Sequence, residues 1–240
     1  MKIIQLLIVI LLSAGISFAQ LGYGVEGGIG MASMRFAPLL SPIHYTAGNA
    51  SPIFSGKVGF LADVPMNKHI YFQSGLYFSR KGAVRSFSYY ANDSFNESVN
   101  QTLNINYFDV PLTVMYKSGM LGKGRFTAGI GAVLSYIAGG KNKLHDHQVF
   151  NDTLSDTNDT YNISVGNTLK GFDIGVNLTA GYELPTGLFF RTYYVAGTKD
   201  IGPGTEIDKN RMWGISAGYI FGKGRNINKE ADDLIDKTTE

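Results

Sequence analysis

RFTAGIGAVLSYIAGG, residues 125–140, alternates strictly: Phe126, Ala128, Ile130, Ala132, Leu134 and Tyr136 are apolar or aromatic, and the residues between them are mostly small or polar. In an extended strand, neighbouring side chains point to opposite faces, so this pattern gives the strand one greasy face. That face belongs either in the core of a soluble sheet or in lipid. The rest of the chain discriminates between the two.

Seven further segments read the same way: 21–31, 56–65, 69–81, 105–117, 170–184, 188–198 and 211–221. Several run to 11–15 residues, well beyond the common globular strand of about 5–6. About 11 residues at about 3.3 Å each, tilted by roughly 45°, rise about 25 Å, the height of the lipid-facing band of a membrane barrel. The links alternate in length. Short ones are Met66-Asn67-Lys68, Ser118–Gly124 and Pro185-Thr186-Gly187; long, polar ones span about 32–55, 82–104, 139–169 and 199–210. Short turns at one end and long loops at the other, on an up-and-down chain, are the pattern of an outer-membrane barrel. Soluble meanders close most hairpins with two to five residues.

Parity separates the chemistry. One face carries Val58, Phe60, Phe72, Leu76, Leu112, Val114, Ile130, Ile174 and Leu178 and almost no charge. Phe72, Leu112, Ile130 and Leu178 are accordingly expected to face lipid. The other parity holds Glu26, Lys57, Asp63, Gln73, Lys81, Asp109, Asp173, Asn177, Glu183 and Arg191, together with most strand glycines. Glu26, Lys57, Asp109, Asp173 and Arg191 are expected to form a polar network in the lumen, with Arg191 paired to at least one carboxylate, because an unpaired buried charge costs several kcal/mol. The interior of eight strands is barely wide enough for side chains, so a filled lumen is expected rather than an open pore. Aromatics near segment ends (Tyr107, Phe108, Tyr116, Phe126, Tyr136, Tyr182, Phe189, Phe221) suit interfacial girdles.

Bulk properties agree. The chain has 240 residues, a net charge of +2, 30 glycines and no cysteine. It therefore has no disulfides and no lipoprotein attachment, and its charge balance suggests no nucleic-acid partner. MKIIQLLIVILLSAGISFAQ has a basic start, an apolar run and small residues before Ala19, as a secretory signal does. The expected organisation is a signal peptide over 1–19, a barrel over 20–221 and a polar periplasmic tail over 222–240. The location is the outer membrane of a Gram-negative bacterium.

The opening GYGVEGGIG, the strand YFDVPLTVMYK and the closing WGISAGYIF resemble the PorT-like small outer-membrane β-barrel proteins of Bacteroidota. The aromatic-x-(acid or hydrophobe)-hydrophobe-Pro-Leu run of that family falls on Tyr107–Leu112. The resemblance implies an eight-stranded barrel without an assigned activity, one member type being an accessory to a protein secretion pathway. The tail GKGRNINKEADDLIDKTTE departs from barrels that stop at an aromatic such as Phe221.

Candidate chemistry is sparse. His145-Asp146-His147, with Asp152, Asp156 and Asp159 downstream, matches no metal-ligand spacing and reads as a solvated loop. His69, and His44 with Ser41 and Ser51, lack partners that strand geometry would converge. No catalytic residue, metal or cofactor is expected. The reading is an all-β, eight-stranded antiparallel up-and-down transmembrane barrel with short periplasmic turns and long extracellular loops. It is a non-enzymatic scaffold in contact with outer-membrane lipid, whose loops bind an extracellular protein or glycan. An accessory subunit of a secretion or envelope complex and a soluble lipocalin-like periplasmic carrier are the alternatives.

Overall fold

The computed structural model describes residues 21–35, 45–47, 50–92, 95–119, 121, 123–150, 153–163, 165, 169–201 and 209–221. The signal segment, the tail, His44 and Ser41 lie outside them. The strands are β1 (Gly22–Arg35), β2 (Tyr45–Ala47), β3 (Ser51–Pro65), β4 (Ile70–Asn92), β5 (Phe95–Lys117), β6 (Arg125–Phe150), β7 (Thr153–Ile163), β8 (Phe172–Glu183), β9 (Leu188–Gly197) and β10 (Lys209–Phe221).

Eight of them form a closed antiparallel ring in the order β1–β3–β4–β5–β6–β8–β9–β10, with β10 returning to β1. Following paired residues from Tyr23 through Ala62, Ser74, Leu112, Ala132, Val176, Ala196 and Arg211 leads back to β1 at Ser33, ten residues further along. An offset of that size around eight strands sets a tilt of about 40° and a radius of about 8 Å. The strand closure leaves no sheet edge within the apolar band, as lipid requires.

The alternating faces are sorted as membrane demands. Ile130 is 60% exposed; Leu112 and Leu178 are exposed and Phe72 is half-buried on the same outer face. Glu26, Asp63, Asp109, Asp173, Glu183 and Arg191 are buried inside. A soluble carrier would place these two sets the other way round, so that alternative is overturned. Outward aromatics form a row through directly paired Phe78, Phe108, Tyr136 and Phe172 near the long-loop end. Tyr23 beside Phe221, and Phe126 beside Tyr182, mark the opposite rim. Tyr107 and Phe189, expected in the girdles, are instead fully buried in the lumen. Their position in the strand alternation points them inward, and proximity to a strand end does not change that.

The regions around 82–104 and 139–169 differ from the irregular loops expected. β4 and β5 stay paired out to Asn92 and Phe95, and β6 pairs with β5 out to Phe150 and then with β7. With β2 on the far side of β4, they form a sheet ordered β2–β4–β5–β6–β7 that stands clear of the barrel. The register shifts where β6 leaves the ring, between Asn106 and Tyr107, opposite Gly139, whose φ of 125° favours glycine. Pro111, which has no N–H, lies in a gap of the β4–β5 ladder between the Ser74–Leu112 and Tyr77–Asp109 pairs.

Candidate functional site

Two regions could carry function: the lumen and the projecting sheet. Inward parity brings charged side chains from all round the ring into one column, where each must find a partner or pay a desolvation penalty. At the short-turn end, Lys117 Nζ is fully buried and bonds Asp63, and lies 3.0 Å from Glu183 Oε2. Arg125 Nη2 donates to Glu183 Oε1 at 2.8 Å, and its Nη1 to Tyr71 Oη at 3.3 Å. Gln73 links this cluster upward, donating to Asp63 Oδ1 at 3.2 Å and accepting from Arg191 Nη1 at 2.6 Å.

Mid-lumen, Glu26 collects three groups. Lys57 Nζ lies 2.7 Å from Oε1, Tyr77 Oη donates to Oε2 at 2.8 Å, and Arg191 Nη1 is 4.0 Å from Oε2. The Arg191 guanidinium also stacks 3.9 Å over the Phe189 ring, and Lys57 sits 4.3 Å over that of Tyr193. Towards the long-loop end, Asp109 accepts from Lys81 at 2.9 Å and from Ser79 at 2.6 Å, and Ser135 bonds the same carboxylate. Asp173 is buried nearby, and Asn210 donates to Tyr107 Oη. Of the five expected network residues, Glu26, Lys57 and Arg191 meet in one cluster, Asp109 forms another, and Asp173 makes no ion pair among the described residues. Lys117 and Arg125 were not singled out from the sequence. Their odd numbers, in step with Asp109, Thr113 and Val133, were the available signal.

Above the polar column, Met34, Ala83, Ile105, Ile137, Ile163 and Leu169 pack with Ile201 into an apolar cluster. The segment supplying Leu169 is tied down by Lys170 N–H to Ile201 O at 2.9 Å and Ile137 N–H to Gly171 O at 3.0 Å. Between the described residues the lumen leaves a cavity of about 50 Å³ beside Glu26, Lys57, Arg191 and Tyr193, room for only a few waters. Ser135 Oγ lies 3.3 Å from Lys81 Nζ, as in a serine–lysine pair. Asp109 bonds both. Electrostatics and packing here fill and brace a cylinder.

The projecting sheet has different chemistry. On the face that continues the barrel's outside, Lys141, Lys143, His145 and His147 follow one another along β6. They are flanked by Asn104, Thr102, Asn100 and Ser98 on β5 and by Asn162, Thr160, Asn158 and Asp156 on β7. The two histidines are held within the sheet: His145 Nδ1 lies 2.6 Å from Asn158 Oδ1 and His147 Nδ1 2.7 Å from Asp156 Oδ1. The structure thus corrects the loop reading of His145-Asp146-His147. Among the described residues no group of three or more His, Cys, Asp or Glu could hold a metal ion. Tyr161 is exposed, and the Asp159 carboxylate beside it raises its phenol above the ordinary range. Among the described residues β7 pairs only with β6, so its second edge is open.

Residues 18–202 match the model of a family described as outer membrane protein beta-barrel domain. No curated protein matches the chain. Among solved structures, Ail, the attachment invasion locus protein of Yersinia pestis, in complex with the heparin analogue sucrose octasulfate, is similar at 12% identity. The match covers 84% of this chain and 99% of Ail, with a TM-score of 0.35. The outer membrane protein OprG from Pseudomonas aeruginosa is similar at 11% identity over 84% of this chain and 96% of OprG, with a TM-score of 0.41. Both likenesses are general ones.

Proposed function

The chain belongs to the outer membrane protein beta-barrel domain family, and on that premise we propose that it is a non-enzymatic scaffold in the outer membrane whose projecting sheet binds an extracellular protein or glycan. The observation that carries this reading is the contrast between a plugged lumen and a hydrogen-bonding surface held far from the bilayer. Strands β4 to β6 run 23, 23 and 26 residues, about twice what lipid needs. The excess presents amide, hydroxyl and basic side chains on a rigid support, beside an open strand edge suited to pairing with an extended partner. The PorT-like assignment within Bacteroidota, resting on Tyr107–Leu112, is part of the same proposal.

Two measurements test it. Planar-bilayer recordings of the full chain should show no steady conductance; an open channel would overturn the plugged-scaffold reading. Replacing residues 143–160 by a short turn should leave the heat-modifiable barrel intact while abolishing attachment of expressing cells to their target surface. Unchanged attachment would remove the sheet from the function.

A further inference from the structure

Where β1 and β10 close the ring, their long-loop ends place like charges face to face. Arg35 is directly opposite Lys209, and Arg211 is opposite Ser33, on the same outward face. Arg35 and Arg211 are exposed and Lys209 half-buried. Immediately below, Trp213 is paired with Met31, which is in turn paired with Phe54. Trp213 is 55% and Phe54 70% exposed. Two outward-facing large aromatics under three cations mark the level at which acyl chains give way to headgroups.

Like charges directly opposite one another destabilise a strand pair. Among the described residues no carboxylate forms an ion pair with Arg35, Lys209 or Arg211. Elsewhere at the same end Lys170 does find one, Asp200 at 3.4 Å. Every charge in the lumen clusters built around Glu26, Asp63, Asp109 and Glu183 is likewise matched. The quartet of Arg35, Lys209, Arg211 and Ser33 offers hydrogen-bond donors in a small area and, among the described residues, no carboxylate is paired with its cations. A tetrahedral oxyanion accepts from several donors at once and would turn the repulsion into attraction.

We propose that Arg35, Lys209 and Arg211, with Ser33, bind the phosphate group of an anionic glycolipid of the outer leaflet. The lipid supplies the negative charge that the outward face of this strand pair lacks, and its acyl chains lie against Trp213 and Phe54. The site would pin the barrel's closing seam in one leaflet.

Trp213 is the single tryptophan of the chain and reports on the site directly. The full chain, folded in neutral detergent micelles, is titrated with a phosphorylated lipid A-type glycolipid, with its dephosphorylated form and with inorganic phosphate, while Trp213 emission is followed. Phosphorylated glycolipid should shift the emission, and neither of the other two should. Arg35→Gln/Lys209→Gln/Arg211→Gln should weaken the response on the order of a hundred-fold, at about tenfold or less per cation. Lys68→Gln/Lys123→Gln, at the other rim, should leave it unchanged. Should the triple variant fail to fold, Arg211→Gln alone should still weaken binding severalfold. An equal response to dephosphorylated lipid, or an unchanged midpoint in the Arg211 variant, overturns the site. A response to inorganic phosphate alone overturns the lipid as its source.

Discussion

Strands β4, β5 and β6 each live in two environments, and the backbone runs through both with only local interruption. Below the aromatic row of Phe78, Phe108, Tyr136 and Phe172, their outer face is Phe72, Leu76, Leu112, Val114 and Ile130, and their inner face is Gln73, Asp109, Thr113 and Lys117. Above it, the outer face becomes Ser86, Asn100, Thr102, Lys143 and His145, and charge no longer has to be paired. Strand pairing carries the main chain through both halves. Side chains alone decide which medium a stretch of strand can enter, and in the lower half the usual inside and outside are exchanged. In the upper half water on the outer face removes the need for either extreme.

That contrast is most exposed at Lys117. Lys117→Met leaves Asp63 without its buried cation and Glu183 with Arg125 only, and should cost about 3–5 kcal/mol in urea unfolding from lipid vesicles. A loss below about 1 kcal/mol would mean that water reaches the lower lumen as freely as the upper sheet. Next in size is a matched pair on the outer face. Ile130→Arg should cost about 2–4 kcal/mol in the same assay, whereas Thr102→Arg should stay within about 0.5 kcal/mol. Equal costs would show that both halves meet one medium. The smallest effect belongs at the joint. Gly139→Ala, at φ 125°, should destabilise by about 1 kcal/mol and loosen the projecting sheet, read as faster amide exchange over 141–150 than over 126–136. Uniform exchange along β6 would make the two halves one cooperative unit.

The lower half was legible because lipid and lumen impose opposite demands on alternate residues, which leaves a strong period-two signal in segments such as Arg125–Ala138. The upper half was not. In SYYANDSFNESVNQT one parity is nearly all Asn, Ser and Thr and the other mixes Tyr89, Phe95 and Val99 with Glu97 and Gln101, so the contrast is weak, and Asn, Asp and Ser read as turn formers although the strands continue through most of them. Tyr107 and Phe189 show a further limit. An aromatic near a strand end suits a girdle, yet a narrow lumen also needs bulky side chains, and parity decides which.

Period-two alternation by itself determined that this chain makes strands with one oily and one charged side, eight of them long enough to cross a bilayer. It could not state which charges meet. Lys117 on β5, Asp63 on β3 and Glu183 on β8 come together only through the ten-residue offset accumulated around the closed ring. Alternation is a local property, fixed by the geometry of a single extended backbone. The offset is a sum over eight pairings that must close on itself, and only the assembled barrel sets it.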